Sequence, residues 1–580
     1  MKLIRLAPAL ALFAAHPALA QQDPLAPVVP PSATPPLAQP QPQPQVIVPP
    51  IVRPLVVPRD WKGVFVAIRA GDWAGARAGI ETLPPSLATA VARAELYTAK
   101  NSPVVSLPEI QALLAQAPDL PQAEQLARMA IARGALVAPP VVARKPLISL
   151  PTPPTRYRIK PVAGEPLADA LRTQLDPLIK ADDAMNAELL VASQAPYLTP
   201  NARAEAWQRV AWAYYVRGDD ANARRVADGG RLGATGDWAA ATAWVSGLAA
   251  WRQQDCNASS AAFREVVGNS SQRELRAGAY YWAARSEQAC RRPQAVFPLL
   301  KAAAESPESF YGLVARETLG TDTRIPKAVP VSTAAVERLP NVQRAHELLR
   351  IGEPALAEQM LRHQARIGAA ADHAALVAVA KKMELPGTQY WLAINGQRGA
   401  SVQAAERYPM PRWAPVRGWR IEPSLAFAHA IQESSFQTGV VSHAGAVGLM
   451  QVLPVTAASV AARNGIPYSP DALYDAAYNL EFGQSFIERM RGSAVTGGHL
   501  PKVIASYNAG PLPVGRWAAI PGGHDPSLWM ESIPYWETRY YVPAVLRNLW
   551  VYEGLAGKDT PTLSAIAQHR WPEFPVANGR

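Results

Sequence analysis

The 580-residue sequence predicts an all-α protein built from several helical domains. Alanine and leucine dominate beyond the first 60 residues, and the period-2 alternation typical of half-buried strands is scarce. Between about 167 and 320, aromatic residues and cysteines recur at spacings that are typical of stacked helix pairs. Farther along, an apolar run from Leu425 to Ile431 predicts a helix that is buried on nearly all sides.

The first 20 residues have the pattern of a secretory signal peptide. Lys2 and Arg5 precede an apolar stretch over residues 6–15, and a small-residue end predicts cleavage after Ala20. The apolar stretch is shorter than the ~18 to 20 residues that a membrane span needs. No cysteine lies at the cleavage point to carry a lipid. We therefore expect an exported protein without stable membrane insertion.

Two proline-rich segments interrupt the helical pattern. Proline makes up thirteen of the forty residues from 21 to 60, which favours polyproline II over helix or sheet. We expect a disordered linker there, with a role as a specific proline-rich ligand as the alternative. Short helices are predicted over residues 61–80, 86–100 and 122–133, before a second break at 139–166.

Weak internal repetition predicts a superhelical domain over residues 61–320. Three pairs of identical residues lie 34 to 37 positions apart, close to the tetratricopeptide period: Trp207 and Trp244, Cys256 and Cys290, Phe263 and Phe297. Each unit reads as a helix, a polar turn and a second helix, and stacking such units buries their aromatic side chains. We interpret four aromatic residues as core rather than sugar-stacking residues: Trp207, Tyr214, Trp251 and Trp282.

The chain has two cysteines, and they occupy equivalent positions in neighbouring repeats. In an exported protein an even number of cysteines favours a disulfide. A bond between Cys256 and Cys290 would contribute about 3 to 4 kcal/mol by chain entropy. Equivalent points on neighbouring repeats can also lie too far apart for the sulfurs to meet.

Glu433 is a candidate functional carboxylate. It follows the apolar run of a helix that Pro423 is well placed to begin, so its carboxylate must be paired, neutral or open to a cleft. Burial would raise the pKa of the carboxyl, because desolvation disfavours its charged form. The alternative is a capping or ion-paired glutamate.

Four ordered segments in the last third of the chain carry a family resemblance: ESSF from Glu433, GAVGLMQ from Gly445, ASYNAG from Ala505 and ESIPYWETRYYV from Glu531. Together they resemble the catalytic domain of the soluble lytic murein transglycosylases. The resemblance implies a lysozyme-like catalytic domain over residues 408–557. It also implies a preceding helical linker domain over 321–407, and residues 558–580 remain as a C-terminal tail.

Ordinary glycosidases use two carboxylates, but the motif segments offer no obvious second one. Asp471 and Asp475 read as helix caps, and Glu481 reads as part of a packing helix. The resemblance implies that Glu433 acts twice on the MurNAc-GlcNAc β-1,4 bond of peptidoglycan. It first protonates the leaving oxygen while the 2-acetamido group forms an oxazolinium. It then deprotonates the sugar's own 6-hydroxyl, which gives a 1,6-anhydro-MurNAc end.

The other motif residues are assigned supporting parts. The resemblance implies that six residues bind substrate: Ser434, Phe436, Met450, Gln451, Tyr507 and Asn508. Gly448 permits the tight loop beside the acid. Glu537 either pairs with Arg539 or bonds the backbone near Glu433, and a purely structural ion pair is the alternative.

The net charge of +11 predicts attraction to anionic partners such as the carboxylates of murein peptides, nucleic acid or anionic lipid. Export excludes nucleic acid. The sequence shows no metal-ligand cluster and no phosphate-binding glycine loop, so we expect neither metal nor cofactor. We expect a periplasmic monomer that acts on peptidoglycan strands, with other cell-wall enzymes as further candidate partners.

Two alternatives remain at this point: a hydrolytic muramidase that resembles goose-type lysozyme, and a non-catalytic helical scaffold of the cell wall. All residues with a chemical role lie at or after Glu433. We therefore expect the segment from Tyr408 to Gly554 alone to cleave small muropeptides.

Overall fold

The computed structural model describes residues 55–575, so the predictions for residues 1–20 and 21–54 lie outside the described part of the chain. Within this part there are 26 α-helices and a single two-stranded sheet, which confirms the all-α prediction. The described chain divides into a smaller compact unit that includes residues 55–118 and 122–140 and a larger one that includes 141–441 and 446–575.

The smaller unit contains five short helices, one of which (α4) was not expected from the sequence: α1 (Trp61–Ala70), α2 (Trp73–Thr82), α3 (Leu87–Thr98), α4 (Leu107–Gln116) and α5 (Ala123–Ala132). Asp60 and Asp72 cap the first two helices by accepting backbone hydrogen bonds from Gly63 and Gly75. Gly71 adopts a left-handed conformation between them, and it divides the single predicted helix into two.

The larger unit begins with nine helices: α6 (Pro166–Lys180), α7 (Ala184–Gln194), α8 (Pro200–Val216), α9 (Asp220–Gly230), α10 (Gly236–Arg252), α11 (Cys256–Asn269), α12 (Arg273–Ala289), α13 (Pro293–Ala304) and α14 (Phe310–Thr318). Asp219 and Asp255 begin α9 and α11 as N-caps, as expected for the polar turns of the repeats. Trp282 and Phe263 are fully buried, whereas Phe297 is 62% exposed. The expected burial of repeat aromatics therefore fails at Phe297.

Cys256 and Cys290 form a disulfide in the structure. Cys256 is the first residue of α11 and Cys290 caps the end of α12, so their Cα atoms are only 5.5 Å apart. The equivalent points of these two repeats thus lie within disulfide reach.

Four further helices follow the repeats: α15 (Pro340–Ile351), α16 (Pro354–Ile367), α17 (His373–Lys382) and α18 (Pro386–Ile394). The chain after α18 forms strand β2 (Asn395–Gly396), which pairs antiparallel with β1 (Ile148–Ser149). Strand β1 lies in the second proline-rich segment, in the part that we call the strap (residues 141–165).

The strap is an extended segment that binds several groups of helices. Its Arg156 donates two hydrogen bonds to Glu531 at 2.8 and 2.9 Å. The backbone N–H of Val162 donates to Glu205 on α8, and the Pro154 carbonyl accepts from Arg547. The predicted break in the helical pattern is present, and the segment is held in place because outside partners satisfy part of its backbone.

Seven helices form the region of the four motifs: α19 (Pro423–Ser434), α20 (Pro454–Asn464), α21 (Ala476–Arg491), α22 (Leu500–Ala509), α23 (Pro511–Arg516), α24 (Pro526–Glu531) and α25 (Trp536–Leu555). The last helix, α26 (Pro561–Ala567), packs on α14 with Leu563 and Ile566 fully buried. Residues 558–575 are therefore part of the packed structure and not a loose tail. Among residues 55–575, no helix combines the length and apolar character that crossing a bilayer requires.

Candidate active site

Helix α19 places Glu433 at the edge of a buried core. Pro423 is its first residue, and nearly every residue from 424 to 431 is buried. The helix ends where Ser435 and Phe436 adopt consecutive left-handed conformations, with φ of 53° and 62°. This sharp exit leaves the Glu433 side chain half-buried.

The loop between α19 and α20 is fixed from both sides. Ser434 Oγ donates to the Leu449 carbonyl at 2.7 Å. The amide of Asn479, fully buried on α21, donates to the carbonyls of Val447 and Leu473 and accepts from the Met450 N–H at 2.7 Å. These bonds hold the loop against the end of α19.

Gly448 is required by the close approach of this loop to its neighbours. Its φ is 76°, and a Cβ at this position would lie 2.3 Å from the Leu473 carbonyl oxygen and 2.4 Å from Asn479 Nδ2. Because both conformation and space exclude a side chain, glycine is the residue that fits the predicted tight turn.

A tyrosine and a histidine lie next to Glu433. The hydroxyl of Tyr541, on α25, donates to Glu433 Oε1 at 2.5 Å. The same hydroxyl lies 2.8 Å from Nδ1 of His429, one turn before Glu433 on α19. The His429 ring also packs against the ring of Tyr507, with centroids 4.6 Å apart.

The carboxyl of Glu433 has the electrostatic character of a general acid. Burial raises its pKa to about 7, the bond from Tyr541 lowers it, and the nearby charge of Glu537 raises it. Within the described part of the chain, no lysine or arginine forms an ion pair with Glu433. The capping and ion-paired alternatives therefore do not describe this residue.

The predicted substrate-binding residues fall into two groups. Gln451, Tyr507 and Asn508 are half-buried and reach solvent. Ser434, Phe436 and Met450 have side chains no more than 6% exposed. The side chain of Met450 packs against Gly483, where an added Cβ would lie 2.4 Å from its sulfur. These three shape the wall behind the acid instead of lining the cleft with their side chains.

Polar contacts connect the motifs of α22 and α25. Tyr507 donates its hydroxyl to the Met450 carbonyl at 2.7 Å. Asn508 accepts from Thr538 at 2.6 Å and donates to Glu537 Oε1 at 3.2 Å. One alternative paired Glu537 with Arg539, but its hydrogen-bond partner in the structure is Asn508. The Arg539 guanidinium lies 3.6 Å from the ring centroid of Trp212.

Two of the remaining carboxylates near the motifs have structural partners, whereas Asp471 lies inside a short 3-10 helix whose N-cap is Ser469, so it is not the predicted cap. Asp475 caps α21 through the backbone N–H groups of Ala477 and Tyr478. Glu481 is fully buried and pairs with Arg420 at 2.8 Å. Neither is available as a second catalytic carboxylate, which agrees with their interpretation from sequence. The described residues contain no group of three or more metal-ligating side chains.

Sequence reasoning assigned no role to His429, Asn479 or Tyr541. His429 precedes Glu433 by four residues, so helical periodicity alone places both on one face. Tyr541 lies within the fourth motif segment, but its neighbour Tyr540 has the same residue type and only the register of α25 selects between them. Nothing local distinguishes Asn479 from a surface asparagine.

Comparison with known proteins gives a consistent result. The family model of the transglycosylase SLT domain matches residues 414–530. The soluble lytic murein transglycosylase of Escherichia coli K12 is 30% identical over 270 residues, which cover 45% of this chain and 41% of that protein. Membrane-bound lytic murein transglycosylase C of Actinobacillus pleuropneumoniae serotype 5b is 35% identical over 139 residues, which cover 22% of this chain and 38% of that protein. The chain thus aligns with about two fifths of the length of these relatives.

Two solved structures share the fold over most of the chain. An inactive mutant of the lytic transglycosylase Slt from Pseudomonas aeruginosa matches with a TM-score of 0.55 at 18% identity, over 88% of both chains. The 70-kDa soluble lytic transglycosylase in complex with bulgecin A matches with a TM-score of 0.53 at 20% identity, over 89% of this chain and 88% of that one. These matches confirm the predicted architecture of a helical superhelix and a lysozyme-like domain. The chain thus carries a match to the transglycosylase SLT domain over residues 414–530, within an architecture that resembles that of the soluble lytic transglycosylases.

Proposed function

We propose that this protein is an exported lytic transglycosylase that cleaves the MurNAc-GlcNAc β-1,4 bond of peptidoglycan and leaves 1,6-anhydro-MurNAc ends. The observation that carries the proposal is the Glu433 carboxyl, whose pKa burial raises to about 7. A carboxyl with that pKa is populated in both protonation states at neutral pH, as one residue that serves as acid and then base requires.

In the first step, protonated Glu433 donates its proton to the glycosidic oxygen as the bond to the anomeric carbon breaks. The 2-acetamido oxygen of the muramic acid attacks that carbon and forms an oxazolinium. Tyr541 donates to Oε1 of Glu433, so it stabilises the negative charge that develops on the carboxyl as the proton leaves.

In the second step, the Glu433 carboxylate accepts the proton of the 6-hydroxyl while that oxygen bonds to the anomeric carbon and expels the acetamido oxygen. Water is not consumed, and the carboxyl regains its proton. The attacking hydroxyl belongs to the same sugar, so its effective concentration exceeds that of competing solvent.

Three side chains are proposed to contact the sugar: Gln451, Tyr507 and Asn508. They are polar and half-buried, and Tyr507 packs on His429, whose ring contacts the Tyr541 hydroxyl beside Glu433. Gly448, Ser434, Phe436 and Met450 would act by fixing the loop and wall behind the acid. Glu537 would act through its bond to Asn508.

The hydrolytic alternative is retained because of one observation. Glu537 is an exposed carboxylate, and its charge contributes to the raised pKa of Glu433. A second carboxylate of this kind can activate water in an ordinary glycosidase.

Digestion of purified sacculi in water labelled with heavy oxygen separates the two reactions. Mass spectrometry of the released muropeptides should show anhydro ends that are lighter by one water and free of label. Reducing ends that carry the label would establish hydrolysis and overturn the proposal. The Glu433→Gln variant is the control for background cleavage, and Glu537→Gln should leave the anhydro product unchanged.

The proposed place of action is the periplasm, after removal of residues 1–20, and the proposed state is a monomer without cofactor. The intact mass of protein recovered from the periplasm tests whether residues 1–20 are removed on export. The expected mass begins at Gln21, and a mass that retains the first 20 residues would contradict export by cleavage.

A further inference from the structure

We infer that His429 is a positioning residue for the reaction, because its Nδ1–H fixes the Tyr541 hydroxyl as a hydrogen-bond donor to Glu433. The three groups form a line of hydrogen bonds: His429 Nδ1 to Tyr541 Oη at 2.8 Å, and Tyr541 Oη to Glu433 Oε1 at 2.5 Å. The inference rests on the proposed function only in making Glu433 the acid.

Counting protons sets the direction of each bond. Burial raises the pKa of Tyr541 well above its ordinary value, so its hydroxyl keeps one proton. A Glu433 carboxylate can only accept, and it therefore takes that proton as its hydrogen bond. The oxygen of Tyr541 is left with lone pairs, so its contact with His429 requires an N–H on Nδ1.

The state of His429 agrees with this assignment. Burial lowers its pKa to about 3, so the ring is neutral and carries one N–H. Nε2 has no hydrogen-bond partner among the described residues. If the proton were on Nε2 it would be an unpaired buried N–H group, which folded proteins rarely contain. With the proton on Nδ1, only a lone pair is left unpaired.

The charged and titratable groups around Glu433 come from three helices. Tyr541 and Glu537 lie on α25, Tyr507 lies on α22 and His429 lies on α19 itself. None of them is cationic at neutral pH. The stabilisation of the carboxylate therefore depends on the Tyr541 hydroxyl, and a donor behind that hydroxyl strengthens it by polarisation.

His429 is fully buried, so it does not reach the substrate. Removing its donor should raise the pKa of Glu433, because the bond from Tyr541 to the carboxylate weakens. It should also lower kcat with little change in KM, because negative charge develops on Glu433 as it gives up its proton. If His429 only filled space, replacing it would change neither the pKa of Glu433 nor the pH profile of the reaction.

The test uses the full chain with three substitutions at one site. His429→Asn keeps an N–H near the position of Nδ1, and His429→Leu removes the donor at similar size. His429→Gln places its amide farther out, near the position of Nε2, and serves in place of His429→Leu if that variant does not fold. Circular dichroism and thermal unfolding establish that each variant is folded.

The primary readout is the pKa of Glu433, followed by NMR with isotope-labelled glutamate. The resonance is identified by its absence from Glu433→Gln. In His429→Leu or His429→Gln the pKa should rise by about 0.5 to 1 unit, whereas His429→Asn should stay at the wild-type value. An unchanged pKa in a folded variant without the donor would overturn the inference.

The second readout is turnover on muropeptides. His429→Leu should lower kcat about fivefold to tenfold and move the alkaline limb of the pH profile upward. In a Tyr541→Phe background it should have no further effect, and additive losses would indicate a packing role and refute the inference. A shifted pKa of Glu433 without any anhydro product from the wild type would instead refute the proposed function and leave the positioning of Tyr541 intact.

Discussion

Glu433 and Glu531 are two carboxylates of the same helical region with opposite roles. Each accepts a hydrogen bond from a buried tyrosine: Tyr541 donates to Glu433 at 2.5 Å, and Tyr311 donates to Glu531 at 2.6 Å. Glu531 is also bound by both terminal nitrogens of Arg156. Glu433 has no such cation.

The difference supports the proposed role of Glu433 as an acid. The paired guanidinium of Arg156 offsets the desolvation of the Glu531 carboxylate, so this carboxylate has a structural role. Without a cation, desolvation raises the pKa of Glu433 to about 7, and its proton becomes available for chemistry. A tyrosine bond alone does not decide between these outcomes.

The largest expected effect comes from Glu433→Gln, which keeps shape but removes the titrating proton. Turnover should fall by at least about a thousandfold, as for loss of a general acid. The circular dichroism spectrum should match that of the wild type. Measurement of anhydro-product release decides this prediction. A folded variant that retains more than a few per cent of activity would show that Glu433 is not the acid/base.

Removing the Arg156 cation tests the other half of the comparison, the buried carboxylate of Glu531. Arg156→Met should lower the free energy of unfolding by about 3 to 5 kcal/mol, because Glu531 is left buried without its partner. The double variant Arg156→Met/Glu531→Gln should recover part of this loss. Denaturant unfolding measures both. Equal stabilities for the single variant and the wild type would mean that the pair contributes nothing.

The disulfide offers a control in which stability changes far from both glutamates. Protein recovered from the periplasm should show no free thiol without reductant, since Cys256 and Cys290 are bonded. Replacing both with serine should lower stability by about 3 kcal/mol while turnover below the unfolding range stays unchanged. Two labelled thiols in the native protein would show that the bond does not form.

The smallest effect concerns the dependence of stability on pH. The pKa of Glu433 is raised from 4.5 to about 7 in the folded state, so its contribution to stability is present below 4.5 and lost as pH rises through 7. Glu433→Gln lacks this loss. Above pH 7 it should exceed the wild type by about 1 to 3 kcal/mol, less than the full shift implies because the carboxyl is partly open to water.

This gain should disappear at acid pH, where both side chains are neutral. Thermal unfolding of the two proteins across pH measures the difference. A gap that stays constant with pH would indicate that the pKa of Glu433 is not raised in the folded state.

Local pattern was enough to predict the helical class, the repeat helices and the position of Glu433. An apolar run on a helix predicts burial without knowledge of the partners, whereas the family resemblance of the motif segments singled out Glu433 as the candidate acid. Tyr541 and Asn479 could not be assigned in the same way, because their roles depend on the register of helices far along the chain. The burial of Met450 against Gly483 could not be predicted either, because a motif identifies a residue but not the direction of its side chain.

The contacts of the strap could not be predicted for a related reason. Its proline content correctly excluded helix over residues 141–165, but composition does not show which partners bind an extended segment. Arg156 and Glu531 are 375 residues apart, and no local signal connects them. The expectation that the segment from Tyr408 to Gly554 works alone remains a prediction. Because this fragment lacks Arg156, Glu531 would be left without its cation. We therefore expect the fragment to need a neutral residue at this position, for example through Glu531→Gln.

The strap also sets an order of events in folding. Domains generally fold from the N-terminus as the chain is synthesised, but the strap emerges long before β2, Glu531 and Arg547 exist. Its contacts close loops of up to 393 residues, so they form after the repeat helices and the motif helices have each collapsed. Until then, Arg156 and the strand edge of β1 remain open to solvent. An unpaired strand edge can pair with another chain, so docking of the strap also protects the molecule from association through β1.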